Sequence, residues 1–418
     1  MQLGKIVSDR YFIVLCVMGA FAILSSTMSK DPVLNPFAIS LGTPANLTGI
    51  IAAASTIPGI LVSLPAASLS DVFGRRKMLL FATFIFASAP FLYLFVGVWW
   101  QLAFVRFYHG FATAIFVPLA EATIAERYPA KRGERISDFN SATYVGRGLA
   151  PFLGGSILFV TNYGYHTLYL AVGIAGVASF IIALFLLSES KTSLKQSTEP
   201  VKAKVATGRM LRSWLTIARN KGALIVSFVQ ASQYYVYGVV EFYLVQYMIQ
   251  VAGFNAFAVS VVMGVQVVSL IVSRPIMGRF SDKKTRRLPI VIGCVISGVL
   301  LFLIPFTTQF ALLLVISIGY GLGFAMVISS TTPLMCELTP SNLVGTSMGF
   351  LSTMMDIGQV LGPIISGVIL ASVLQYNGLF LSLTALLTLS AVVFVLSGVA
   401  KAGQAQSKKC IDSSPLSQ

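Results

Sequence analysis

Charged side chains are scarce in this sequence. Only 10% of its 418 residues are Asp, Glu, Lys or Arg, whereas an ordinary soluble domain has about 25%. Hydrophobic residues make up 56% of the chain, which is the composition of a protein that lies in a lipid bilayer. The sequence therefore excludes a disordered regulator and a water-soluble enzyme with a membrane tail.

Cysteine is also rare. The four cysteines, Cys16, Cys294, Cys336 and Cys410, form no CxxC motif and have no His at ligand spacing. The cysteines therefore suggest neither a disulfide framework nor a metal site. The phosphate-binding motif GxxxxGK[ST] and the hydrolase motifs HExxH and GxSxG are missing as well, so we expect no cofactor and no enzyme activity.

Long apolar segments recur along the whole chain, and each is long enough to cross a bilayer. The predicted spans are 11–38, 47–69, 78–97, 100–125, 137–160, 167–188, 222–251, 256–278, 288–306, 310–335, 345–370 and 376–398. They predict an all-α integral membrane protein with twelve transmembrane helices in two six-helix bundles. The predicted domains are bundles 1–188 and 222–398, a cytoplasmic linker 189–221 and a cytoplasmic tail 399–418.

Basic residues follow the predicted topology. Of the 29 Lys and Arg, all but Lys30, Arg106, Arg147 and Arg274 lie in the termini, the linker or alternate loops. This asymmetry is typical of a multi-pass membrane protein and places both termini in the cytoplasm. The net charge of +15 therefore indicates loops facing an anionic bilayer surface, and we expect no nucleic-acid partner.

The two halves of the sequence repeat each other at a nearly constant offset. Ser70-Asp71 corresponds to Ser281-Asp282 and Gly110 to Gly321, each 211 residues later. Pro151 corresponds to Pro363 at 212 residues, and Asp31 to Glu241 at 210. Such an internal repeat is typical of transporters built from two related bundles.

Three segments carry a resemblance to a known family. Residues 67–77, ASLSDVFGRRK, resemble the cytoplasmic loop motif G-x-L-A-D-R-x-G-R-[RK] of the major facilitator superfamily, and residues 278–287 look like a degraded copy. Residues 102–110 resemble the superfamily's fourth-span motif with its buried Arg, here Arg106. Residues 146–155, GRGLAPFLGG, resemble the fifth-span motif of its antiporters, with Arg147 as an additional cation.

The resemblance implies a set of gating residues. In the loop motif, Gly74 permits a tight turn, Asp71 lies near a helix N-terminus, and Arg75 pairs with an acid at the end of span four, here Glu126. Asp282 and Pro363 are the second-half counterparts of Asp71 and Pro151. A proline bend and closely packed glycines suit a helix that moves against its neighbours, which adds Pro151, Gly154 and Gly155.

Ionisable side chains inside the spans give the candidate substrate and proton site. Such groups are costly in hydrocarbon and are functional in most membrane proteins. Lys30, Asp31, Arg106 and Arg147 lie in the first half, and Glu241 and Asp356 in the second. The three acids are the candidate proton carriers. Tyr237 belongs to a group of tyrosines in span seven that suits an amphipathic ligand.

The resemblance implies a secondary transporter of the cell membrane that alternates access to a central site. We expect a monomer that exports a small amphipathic organic molecule in exchange for protons, as drug:proton antiporters do. A proton symporter, or a carrier of an organic anion or lipid, remains open as an alternative, as does the more remote case of a membrane-embedded enzyme or receptor. Pairing of the buried cations with Glu241 and Asp356 favours a neutral or weakly charged substrate, whereas unpaired cations favour an anionic one.

Overall fold

The computed structural model describes residues 2–62, 74–189, 214–283, 285–340 and 343–399, without the side chains of residues 2–9, 130, 187–189 and 282–283. All regular structure in these ranges is helical. The first half has eight α-helices: α1 Gln2–Met28, α2 Leu34–Ser40, α3 Thr48–Ala54, α4 Ile57–Val62, α5 Arg75–Leu92, α6 Trp99–Arg127, α7 Arg132–Val160 and α8 Tyr165–Glu189.

The second half contains six long α-helices, one short α-helix and one π-helix within the described residues. These are α9 Lys221–Val239, the π-helix Val240–Leu244, α10 Val245–Gln250, α11 Ala256–Lys283, α12 Arg287–Leu303, α13 Phe310–Glu337, α14 Val344–Leu370 and α15 Gln375–Ser397. Short 3-10 turns continue α5 and α12 and precede α3 and α7.

Ten helical stretches among the described residues are long and apolar enough to cross a membrane. The stretch Lys221–Gln250 has 30 residues, close to the length predicted for span seven. The fifth predicted span corresponds to α7, which is 29 residues long but carries several charged side chains in its first half. The structure thus shows a multi-pass helical membrane protein, and the full count of twelve crossings stays a prediction.

Two predicted spans are not continuous helices. Span one, predicted over 11–38, is interrupted at residues 29–33 between α1 and α2. Pro32 lies in this interruption; it has no backbone N–H and disfavours the helical conformation of the residue before it, so it favours a break in the helix at this point. Span two, predicted over 47–69, is interrupted at Ser55 and Thr56, just before Pro58, and residues 63–69 lie outside the described ranges.

Close glycine contacts repeat between the halves. A Cβ on Gly110 would collide with the carbonyl oxygen of Ser55, and a Cβ on Gly321 would lie 2.6 Å from that of Gln266. The two glycines are 211 residues apart, and so are the two residues whose carbonyls they face. The sequence repeat is therefore also a repeat of helix packing.

The chain divides into two compact units. One contains Met1–Pro200 together with Glu241–Gly264, and the other contains Val201–Val240 together with Val265–Gln418. Each unit has its own apolar core: Phe86, Phe116 and Phe139 lie in the first, and Leu334 and Phe394 in the second. The segment 241–264 thus packs with the N-terminal spans, whereas the predicted bundle boundaries follow the sequence repeat.

We expect Gly110→Ala to destabilise the protein, because the added methyl group overlaps the Ser55 carbonyl. Overpacking of this kind costs about 1–3 kcal/mol, so the thermal unfolding temperature in detergent should fall. Gly349→Ala is the matched control: Gly349 is also helical, but a Cβ there would meet no atom within 4 Å. That variant should be as stable as the parent or slightly more so, and equal loss in both variants would contradict the packing argument.

Candidate functional site

The interruption of the first span places two charged residues inside the first unit. Lys30 and Asp31 lie in the turn between α1 and α2. Asp31 is only 4% exposed, and the Lys30 side chain is 23% exposed.

Lys30 forms an ion pair with Glu241. Glu241 is 7% exposed and lies in the π-helix between α9 and α10. It belongs to the segment 241–264 that packs in the first unit. The pair therefore neutralises two charges that would each be costly to bury alone.

The π-helix also determines which side chains share a face. In an α-helix, residues five apart point about 140° away from each other, at 100° per residue. A π-helix closes its turn between residues i and i+5. Glu241 and Gln246 are five apart, and both contact the first span: Glu241 pairs with Lys30, and Gln246 accepts a hydrogen bond from Asn35 Nδ2 at 3.2 Å.

Asp31 is surrounded by charge. It interacts electrostatically with Lys30, Arg106, Arg147 and Glu241, and we refer to these five residues as the charged cluster. The Oδ1 atom of Asp31 is buried and has no hydrogen-bond partner among the described residues. The cluster contains three cations and two carboxylates, so its net charge is +1 when all five groups are ionised.

Arg106 is held in the bundle by hydroxyl groups. It is 2% exposed and donates from Nη2 to Ser55 Oγ at 2.6 Å and from Nη1 to Ser29 Oγ at 3.5 Å. Ser29 immediately precedes Lys30, so Arg106 connects α6 both to the turn of the first span and to the end of α3. His109, one turn further along α6, lies 3.5 Å from Ser29 Oγ through Nδ1.

Small residues of α7 let neighbouring segments approach closely. A Cβ on Gly154 would lie 3.3 Å from the backbone oxygen of Asp31, and one on Gly155 would collide with Ser260 of α11. Pro151 is buried one turn before them in the same helix. The segment that resembles the antiporter motif thus contacts both the turn that carries Asp31 and the segment 241–264.

The remaining cavity candidates lie in the second unit. Tyr237 is buried and stacks on Phe324, with ring centroids 4.8 Å apart. Asp356 is half-buried in α14, and no described residue forms a hydrogen bond or ion pair with it. Pro363 of the same helix lies opposite Gly238 of α9. The structure thus brings five of the seven predicted cavity residues together and leaves Asp356 and Tyr237 in a separate unit.

The structure describes some of the predicted gating residues and not others. Arg75 forms an ion pair with Glu126, whose side chain is 53% exposed, and Gly74 has a φ of +85°, a conformation that favours glycine. Asp71 lies outside the described residues, as does the side chain of Asp282. In the second unit Arg286 donates from Nε to Glu337 at 3.0 Å.

Several residues that form polar contacts in the structure were not predicted as site residues from the sequence. The offset between the two halves relates most of them to one another. Adding 211 to Arg75 and Glu126 gives Arg286 and Glu337, which form the second ion pair. The same offset relates Asn35 to Gln246. Thr48 and Tyr243, whose hydroxyl groups are 3.1 Å apart, have no such signal.

No group of His, Cys, Asp and Glu side chains within the described ranges is arranged to hold a metal ion. The side chains of the charged cluster can form ion pairs and hydrogen bonds, and its two carboxyl groups can bind protons.

The helical fold and its interior charges define a multi-pass membrane protein with a buried ionisable site. The sequence profile of the Major Facilitator Superfamily matches residues 10–363, so the chain belongs to this superfamily of membrane transporters. A bacterial homolog of the human lysosomal transporter Spinster has the same fold, with a TM-score of 0.74 and 13% identity over 94% of this chain and 97% of that one.

Two relatives indicate the range of transported compounds in the family. The "Probable galactarate/D-glucarate transporter GarP" of Escherichia coli (strain K12) is 23% identical over 380 residues, which cover 81% of this chain and 84% of that protein. The "Multi-drug resistance efflux pump PmrA homolog" of Lactococcus lactis subsp. lactis (strain IL1403) is 24% identical over 371 residues, which cover 84% of this chain and 86% of that protein.

Proposed function

We propose that the chain is a proton-coupled secondary transporter of the cell membrane that acts as a monomer and exports small amphipathic organic molecules. The observation that carries the proposal is Asp31, a buried carboxyl group in an interrupted span with one oxygen that no described residue hydrogen-bonds. Buried acids at broken helices mark proton and ion pathways in membrane transporters.

Asp31 is a better proton carrier than Glu241 in the described arrangement. Glu241 is already ion-paired with Lys30. Asp31 is only 4% exposed, and its Oδ1 atom has no hydrogen-bond partner among the described residues, so a proton can bind this oxygen without breaking a described contact. A proton on Asp31 would remove one buried negative charge, and its release would restore one.

Export of an amphipathic compound is supported by two features. Glu241 neutralises the positive charge of Lys30, so the substrate does not need a negative charge to neutralise Lys30. The PmrA homolog, named as a multi-drug efflux pump, is similar over most of both chains. Tyr237, which stacks on Phe324, offers an aromatic ring with a polar hydroxyl group, and such a side chain suits an amphipathic ligand.

An organic anion is the second candidate substrate. The net charge of +1 in the charged cluster favours it, because a buried uncompensated cation is costly and a substrate carboxylate would neutralise it. Arg147 is our candidate for this role, because a guanidinium group can bind a carboxylate through two parallel hydrogen bonds and Arg147 interacts electrostatically with Asp31 in the cluster. The similarity to GarP, named as a sugar-acid transporter, agrees with this candidate.

Transport by purified protein in proteoliposomes tests the proposal. Lipophilic cations, neutral amphipathic compounds and sugar dicarboxylates are each offered with and without an imposed pH gradient. Movement of an amphipathic compound against its gradient, driven by the proton gradient, would support export by antiport. Gradient-driven movement of dicarboxylates alone would establish the anion carrier, and transport of every active compound unaffected by the pH gradient would contradict proton coupling.

We expect Arg147→Gln to separate the two substrate classes, because Gln359 occupies the corresponding position of the repeat. If the substrate is amphipathic and weakly charged, its apparent affinity should change by less than about threefold. If it is a carboxylate, loss of the guanidinium should weaken binding roughly tenfold or more, equivalent to at least about 1.4 kcal/mol. Lys131→Gln, which removes an exposed cation in the loop before α7, is the matched control.

A further inference from the structure

The helix α6 carries a second interior ionisable side chain, toward the opposite end from Arg106. Glu121 lies inside the stretch Trp99–Arg127, which is long and apolar enough to cross a membrane. Its carboxylate accepts a hydrogen bond from Asn140 Nδ2 of α7 at 2.9 Å. Both side chains are half-buried, so this acid–amide pair joins two helices of the first unit and still reaches the surface of that unit.

The charge of Glu121 is not neutralised by any described residue. Its hydrogen-bond partner is a neutral amide, and no described cation forms an ion pair with it. The residues three and four positions away in α6, which are its neighbours on the helix surface, are all uncharged. A carboxylate in a membrane span is costly and is functional in most membrane proteins. The pair is therefore a candidate binding site for a positively charged group.

The acid–amide pair and the charged cluster lie along the same faces of α6 and α7. Glu121 follows Arg106 by 15 residues, which is about 22 Å along the helix axis and a rotation of about 60°. Asn140 precedes Arg147 by 7 residues, which is about 10 Å along the axis and a rotation of about 20°. The two helices thus present cations at one level and a carboxylate at another, which separates two sites of opposite charge.

The groups available at the pair suit an ammonium ion. The carboxylate of Glu121 and the Oδ1 atom of Asn140 can each accept an N–H donor, and Oδ1 accepts no hydrogen bond from a described residue. A hard metal ion needs about six to eight oxygen ligands, more than two side chains supply. Val117 and Tyr144 are half-buried one helical turn away, and their apolar and aromatic surfaces suit the body of an amphipathic molecule.

We propose that Glu121 and Asn140 form a binding site for the protonated amine of an amphipathic substrate, separate from the charged cluster. The carboxylate neutralises the ammonium group, and the amide oxygen accepts one of its N–H donors. A quaternary ammonium group has no N–H donor, so the site prefers protonated amines to quaternary cations of equal charge. This inference rests on the proposed export of amphipathic compounds and specifies their chemical class.

Equilibrium binding to purified protein in detergent tests the site without a proton gradient. Radiolabelled benzylamine is the probe, and benzyltrimethylammonium and phenylacetate, which contain the same aromatic ring, are the competitors. We expect benzyltrimethylammonium to compete about fivefold more weakly than unlabelled benzylamine, the effect of one hydrogen bond, and phenylacetate not to compete. Equal competition by both cations, or the absence of saturable benzylamine binding, would overturn the proposal.

Variants assign the binding to the two side chains. Glu121→Gln keeps the size of the side chain and should weaken benzylamine binding about tenfold or more, because it removes a charge-assisted contact. Glu121→Asp keeps the charge and should retain binding, which guards against misfolding as the cause. Asn140→Ala should reduce the preference for benzylamine over benzyltrimethylammonium. Glu134→Gln, which changes an exposed acid in the first turn of α7, is the matched control and should bind benzylamine normally.

The outcomes separate this site from the proposed transport. Unchanged benzylamine binding in Glu121→Gln, or an equal loss in Glu134→Gln, would overturn the site even if gradient-driven transport is observed. Benzylamine binding that depends on Glu121, without gradient-driven transport of any compound, would support the site and instead remove the proposed function.

Discussion

Asp31→Asn is expected to abolish proton-driven transport while leaving substrate binding nearly intact. The amide has the shape of the carboxylic acid but cannot release a proton, so a proton gradient can no longer do work through this position. In proteoliposomes we expect gradient-driven accumulation to fall at least about 100-fold, a loss of roughly 2.7 kcal/mol of driving free energy or more. The dissociation constant, measured by direct binding to purified protein, should change by less than about threefold.

Asp138→Asn provides the control for this prediction. Asp138 is an exposed acid in α7, 3.9 Å from Arg135, and its amide variant should transport normally. Retained accumulation in Asp31→Asn would show that the proton is carried elsewhere, with Glu241 and Asp356 as the remaining candidates. A large loss of binding would instead show that Asp31 contacts the substrate directly.

Removal of one partner of the Lys30–Glu241 pair is expected to destabilise the protein far more than removal of both. Lys30→Met and Glu241→Met each leave an unpaired charge in a mostly buried site. For fully buried pairs this costs about 3–5 kcal/mol, and the partial exposure of Lys30 reduces our expectation to about 2–3 kcal/mol. The double variant Lys30→Met/Glu241→Met should regain most of that stability, because apolar replacement of a buried ion pair is often neutral.

Denaturant titration in detergent gives the four free energies of this double-mutant cycle. The Arg75–Glu126 pair is the comparison: Glu126 is half exposed, so Glu126→Met should cost less than about 1 kcal/mol. Additive effects of the two single substitutions at Lys30 and Glu241 would mean that the ion pair contributes no coupling. Transport should remain lost in the double variant, since both charged groups of the pair are gone from the candidate site.

Hydropathy and charge predicted the membrane architecture because the bilayer imposes a simple constraint on length and polarity. The seventh span and its charged Glu241 were predicted in this way, and so was the buried position of Asp31. Hydropathy could not reveal the interruption at residues 29–33, because Phe37, Ala38 and Ile39 continue the apolar pattern beyond it. Pro32 was the local signal for that interruption.

It was harder to predict which distant residues pair with each other than to predict which charged residues lie inside the spans. The sequence placed Lys30 and Glu241 among the buried charges, but nothing in either segment states that they pair. The repeat offset would have suggested Asn35 with Gln246 and Arg286 with Glu337, because repeated sequences pack alike. The grouping of segment 241–264 with the N-terminal spans depends on contacts made by the whole chain, and a repeat alone contains no information about it.

The π-helix at Val240–Leu244 also explains an irregularity in the numbering of the repeat. A π-turn contains one residue more than the α-helical turn that it replaces. Asp31 corresponds to Glu241 at an offset of 210 residues. In the loop after the second span, Asp71 corresponds to Asp282 at an offset of 211 residues. One inserted residue in the seventh span, relative to the first span, accounts for the π-helix and for the change of offset from 210 to 211. A related chain without that insertion would have an uninterrupted α-helix here and could direct the equivalent of Glu241 or of Gln246 toward the first span, but not both.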